Sequence, residues 1–185
     1  MKSRLSPLTD ATLTAAQRRV LDAIRNGPRG NLDGPFLAWV HSPGLADPAQ
    51  RLGAYCRYHS SLPLRLSELA ILVTAEWWQS QAEWQIHAPI AEQAGLDAPL
   101  IEALRRGETP AFSAEDELLV YQLGRELYAT RRVGDGLYGR AVAAFGEPAL
   151  VELVGIFGYY ALVAMTLNVF AVDRESEQPL PFATP

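Results

Sequence analysis

From Ala149 to Val172 the chain is almost unbroken in apolar residues. A run of that length reads as a single long helix, because strands end after a handful of residues and helices need not. It is long enough to cross a bilayer. Glu152 near its start, Asn168 near its end and the lack of flanking basic anchors instead favour a helix buried in protein or in a subunit interface. Gly155, Gly158, Ala161 and Ala164 would let a second helix approach closely.

Helical signals continue through the rest of the chain. Thr14-Ala-Ala-Gln17 is a capping-box pattern, opening an amphipathic run through Val20, Leu21 and Ile24 that stops at Asn26-Gly27-Pro28. A Gly/Pro/Asn-rich loop to Pro35 and a short segment from Phe36 to His41 follow. Asp47-Pro48 predicts a helix from Pro48 to about His59, with aspartate as cap and proline at the first helical position. Past Leu62-Pro63-Leu64, a strongly apolar helix from Arg65 or Ser67 leads into a tryptophan-rich stretch and then a helix ending near Gly95. Pro89 inside that helix removes the bond to the Gln85 carbonyl, so a kink or a freed acceptor is expected. Further helices are predicted from Asp97-Ala-Pro99 to Gly107, from Ser113 past Tyr128, and from Gly136 to Ala144. No segment alternates convincingly with period two, so the fold is expected to be all-α. The expected organisation is an N-terminal helical extension over 1–45, one domain over 46–172, and a proline-containing tail over 173–185 that reads as an arm or as disordered.

With 16 basic and 21 acidic residues the net charge is −5, and the arginines cluster no more densely than in pairs, which argues against a nucleic-acid partner. Lys2 is the sole lysine, so no Schiff-base nucleophile is at hand. Cys56 is the sole cysteine; it fits a reducing cytosol and excludes both an internal disulfide and a multi-cysteine metal site. Three histidines without close pairing argue against zinc, and Gly-Pro-Arg-Gly-Asn lacks what a phosphate loop needs. The N-terminus has no apolar leader segment. A cytoplasmic protein without cofactor or metal, acting on a small molecule and touching neither nucleic acid nor membrane, is the expectation.

The chemistry is expected in Glu76-Trp-Trp-Gln-Ser-Gln-Ala-Glu-Trp-Gln-Ile-His87. On a helix, Ser80, Glu83 and His87 fall at i, i+3 and i+7 on one face, with Glu83 and His87 one turn apart and Cβ atoms about 5–6 Å from each other. Trp77, Trp78 and Trp84 would surround this stripe, lower the local dielectric and perturb ionisation. A solvated Glu–His surface pair and a core or oligomer role for the indoles are the competing readings. Ser80 is a helix N-cap candidate as well as a hydroxyl for substrate. His41 and His59 lie near predicted helix ends, where a cation is favoured.

The run Leu64-Arg65-Leu-Ser-Glu68-Leu-Ala-Ile-Leu, Glu76 through His87, Ala91, Gly95-Leu96, Tyr121, Phe145-Gly146, Leu150 to Leu153 and Gly158-Tyr159-Tyr160 resembles the carboxymuconolactone decarboxylase and alkylhydroperoxidase AhpD-like superfamily. The resemblance covers about Ala54 to Val172, and its most specific part is the spacing of Arg65, Glu68 and His87. It implies an AhpD-like helical bundle and a homo-oligomer. The peroxidases of that superfamily carry Cys-x-x-Cys-x-x-x-His with an upstream glutamate. Here the histidine matches His87 and the glutamate Glu68, but Ser80 and Glu83 stand at the cysteine positions, and a hydroxyl supplies no thiolate.

The resemblance therefore implies the decarboxylase-like branch, a cofactor-free carboxy-lyase acting on a small carboxylated lactone or related acid. His87 would be acid and base, Glu83 and Glu68 would tune it or relay protons, and Arg65, Ser80 and Trp84 would contact substrate. Arg65 is suited either to a bidentate grip on a carboxylate or to an ion pair with Glu68 one turn away. A silent oligomeric binding or stress-related protein and a residual peroxidase remain the alternatives.

Overall fold

The computed structural model describes residues 3–172 and 179–183. They form eight helices: α1 (Ala15–Arg25), α2 (Phe36–Trp39), α3 (Pro43–Tyr58), α4 (Leu64–Trp77), α5 (Gln81–Gln93), α6 (Ala98–Arg105), α7 (Glu115–Thr130) and α8 (Asp135–Phe170). The fold is all-α, with no strand among the described residues. α4 is apolar on every side, and a helix of that kind has a stable place only where other helices surround it. Every residue from Leu66 to Glu76 is buried, with α5, α7 and α8 packed around it. The polar residues that α4 carries inward, Glu68 and Thr74 among them, must therefore find partners inside the protein.

The Thr14 capping box forms as the sequence predicts: the Gln17 amide donates to the Thr14 hydroxyl, and the Thr14 amide donates back to the Gln17 side chain. α3 departs from expectation. It starts at Pro43, just after Ser42, and Pro48 lies inside it. Proline at Pro43 already suits a first helical position. Asp47 does not cap; it pairs with Arg51 one turn on, at 2.5 Å. α5 runs on through Pro89 to Gln93.

In α8 the predicted turn at Phe145-Gly-Glu-Pro148 is present as a break at Gly146, whose φ of 76° and ψ of 160° lie where glycine alone is comfortable. A Cβ there would oppose the break itself, so Gly146→Ala should lower stability by about 1–3 kcal/mol in denaturant titration. An unchanged midpoint would show the two halves of α8 tolerating another junction.

After the break, α8 buries Leu153, Ile156, Phe157, Tyr160, Val163, Ala164 and Leu167 and leaves Val151, Val154, Met165 and Val169 exposed along its outer face. By length and apolarity alone it could cross a membrane, but 56% of its most apolar window is buried against the rest of the protein. The extension shares the core of the bundle: Val20, Leu21, Ile24, Phe36 and Val40 join it, and the Trp39 indole donates to the Thr166 hydroxyl of α8 at 2.8 Å. Of the tail, Pro181 and Phe182 pack on the body, with Phe182 buried edge-on to Trp84 at 5.3 Å between ring centres. The tail expectation for residues 173–178 and 184–185 lies outside the described residues.

Candidate active site

Two helices build the site because each places an acidic residue in the interior. α4 carries Glu68, fully buried, and α5 carries Glu83 and His87, only 1% and 5% exposed. His87 Nδ1 and Glu68 Oε2 are 2.7 Å apart. A carboxylate at that distance accepts the Nδ1–H, fixes that tautomer and leaves Nε2 as the nitrogen that exchanges protons. The imidazole also meets the Tyr160 ring edge-on at 5.0 Å. The histidine is thus oriented by a residue nineteen positions upstream on another helix, and its helical neighbour Glu83 plays no part in that bond.

Glu83 has a different environment. Neither carboxyl oxygen has a hydrogen-bond partner, and burial alone pushes its pKa well above the usual range. The side chain holds its proton far above the pH at which a surface glutamate loses it. Glu83 and His87 face one cavity of about 30 Å³, walled also by Arg29, Phe36, Tyr159 and Tyr160. That volume is room for a water or two. Burial raises the Tyr159 phenol to about 12 and the Tyr160 phenol well above its ordinary value, so both rings stay neutral.

The remaining expected site residues lie elsewhere. Arg65 does not reach for a ligand or for Glu68: its guanidinium is held by Asp116 at 2.7 Å and by Glu117, both on α7. Ser80 sits at the N-cap position of α5, fully buried, but its hydroxyl makes no capping bond and has no partner. Trp84 packs on Phe182, and Trp77 stacks on Tyr128. The walls of the cavity are therefore tyrosine and phenylalanine where tryptophan was expected, because the indoles on α4 and α5 turn toward α7 and the tail. His41 and His59 are exposed.

Arg29, Arg57, Tyr159 and Tyr160 line the cavity and were not among the expected site residues. Gly158-Tyr159-Tyr160 stood out in the sequence only as part of a family-like pattern, and no local signal marked Arg29. Tyr159 and Arg29 meet above Gly53 of α3, where a Cβ would overlap both the phenol oxygen and Nη2. Cys56 is buried, and desolvation raises its thiol to about 11, which withholds the thiolate that peroxide chemistry requires.

No model of a known protein family matches the chain, and no curated protein matches it.

Proposed function

We propose that the protein is a cofactor-free acid–base enzyme, a carboxy-lyase whose substrate is a small carboxylated enol-lactone or related acid. The observation that carries this reading is the buried Glu68–His87 bond opening on the same cavity as a partnerless, protonated Glu83. A carboxyl kept neutral by burial, facing the same cavity as an oriented imidazole, puts a proton donor and a proton carrier side by side.

In such a reaction the bond from ring carbon to carboxylate breaks and CO2 departs. The electron pair left behind moves into the conjugated lactone carbonyl, and one proton must then reach carbon. Glu83 is the neutral acid that supplies it. His87, oriented by Glu68, returns a proton from solvent to Glu83. Fold likeness does not fix a substrate, so the lactone class rests on the sequence resemblance together with this pairing of groups. The exposed stripe Val151, Val154, Met165 and Val169 supports a homo-oligomer joined along α8.

Purified protein should release CO2 from carboxylated enol-lactones, and His87→Ala should slow that release by about 10²–10⁴, the range general acid–base groups contribute. Equal rates for the two proteins would remove His87 from the mechanism. A second reading, a binding protein without turnover, draws on the cavity volume of about 30 Å³, which holds no organic ring unless a wall moves. Failure to convert lactones, keto acids and peroxides, together with discovery of a specific ligand, would favour it. Peroxide consumption abolished by Cys56→Ser would instead revive a peroxidase.

A further inference from the structure

The connection between α1 and α2 brings Arg29 over the site. Its guanidinium lies 4.8 Å from the centre of the Phe36 ring and 5.9 Å from that of Tyr58, a placement that holds the plane by cation–π contact. Two of its nitrogens, Nε and Nη2, are buried without a hydrogen-bond partner, and so is the Tyr159 hydroxyl beside them. Nε and Nη2 form the edge of a guanidinium whose two N–H bonds run parallel, the edge that matches both oxygens of a carboxylate. Asp33 also lines the cavity, yet neither nitrogen bonds to it.

Buried donors are normally satisfied, and those on a charged group are the costliest to leave bare. Gly53, by having no side chain, lets these donors gather at one point. Arg57 adds a second positive charge to the cavity wall, although the chain as a whole is acidic.

We propose that Arg29 and Tyr159 form a carboxylate-binding site, with the N-terminal extension supplying the anion recognition that the α4–α5 pair lacks. The bound group sits on the Nε–Nη2 edge and takes a third hydrogen bond from the Tyr159 hydroxyl. Identifying it as the substrate's departing carboxylate rests on the acid–base reading above; the site itself does not.

The test is calorimetric titration of sodium formate, with sodium chloride as control, into the wild type, Arg29→Gln and Gly53→Ala, beside lactone turnover. Wild type should bind formate and gain thermal stability from it. Arg29→Gln should bind at least tenfold more weakly and gain none. Gly53→Ala keeps the charge but crowds Tyr159 and Arg29 apart, and should lose binding likewise, which covers the case in which Arg29→Gln fails to fold. Formate binding that is absent from wild type, reproduced by chloride, or equal in wild type and the folded variants overturns the proposal. Binding lost in the variants without lactone turnover by the wild type upholds the site and sinks the lyase; turnover with an unchanged KM in Arg29→Gln does the reverse.

Discussion

Replacing His87 with leucine should destabilise the protein by about 1–3 kcal/mol, the cost of leaving a buried carboxyl group without its hydrogen bond. Glu68 is fully buried, its Oε2 is held by His87, and its Oε1 has no partner at all. Leucine in place of the imidazole removes the one hydrogen bond the carboxyl has. Replacing both residues together with leucine should recover most of the loss, since a buried pair exchanged for apolar groups of similar volume is often neutral or better. The difference between single and double variants, measured by denaturant unfolding, isolates the coupling. In a chain of this size the single variant should melt roughly 2–12 °C lower. If the double variant is as unstable as His87→Leu, the lost stability comes from packing against Tyr160 and the buried pair is not its source.

Glu83→Leu should act in the opposite direction, raising stability by about 2 kcal/mol at pH 7 and the melting temperature by roughly 4–8 °C. A buried carboxyl with two bare oxygens contributes nothing to the fold that a methyl group would not supply better. The pH dependence gives a second handle. Burial holds the folded-state pKa of Glu83 well above 4.5, while the unfolded chain ionises near that value. The stability this group contributes is complete below the unfolded pKa and is lost as pH climbs toward the folded one, by about 1.4 kcal/mol per pH unit. Glu83→Gln, which does not titrate, should lose this slope. Both variants should also be poor catalysts under the acid–base reading, so greater stability and lost turnover would arrive together, as they do where a strained polar group is kept for function. A wild type whose stability is flat from pH 5 to pH 8 would mean that Glu83 finds a partner or water in solution.

Local patterns carried much of the fold and less of the site. The Thr14–Gln17 box, the break at Gly146 and the all-helical character are written in short spacings, and all appear in the structure. The start of α3 was missed because Asp47-Pro48 has the residue types of a helix start while Ser42-Pro43, five residues earlier, has them too; choosing between them depends on where the preceding loop docks. Glu83 and His87 were correctly placed on one face, since helical periodicity settles that. Glu68 enters only through the family-like spacing of Arg65, Glu68 and His87, and Arg29 and Tyr159 are not legible as site residues, because they reach the cavity from a loop and from another helix. Arg65 is in an ion pair, one of its two expected readings, but not with Glu68: only tertiary packing brings Asp116 and Glu117 beside it.

The tail contact has a practical side. Gln81, the first residue of α5, exchanges two hydrogen bonds with the Phe182 backbone, donating to its carbonyl at 2.8 Å and accepting from its amide at 2.9 Å, while Arg105 grips the Pro181 carbonyl at 2.8 Å. The opening turn of the helix that bears Glu83 is thus clamped by Pro181 and Phe182. Removing Pro181 and Phe182 would release that clamp, and protein with and without them should differ in how firmly it holds the acid in place.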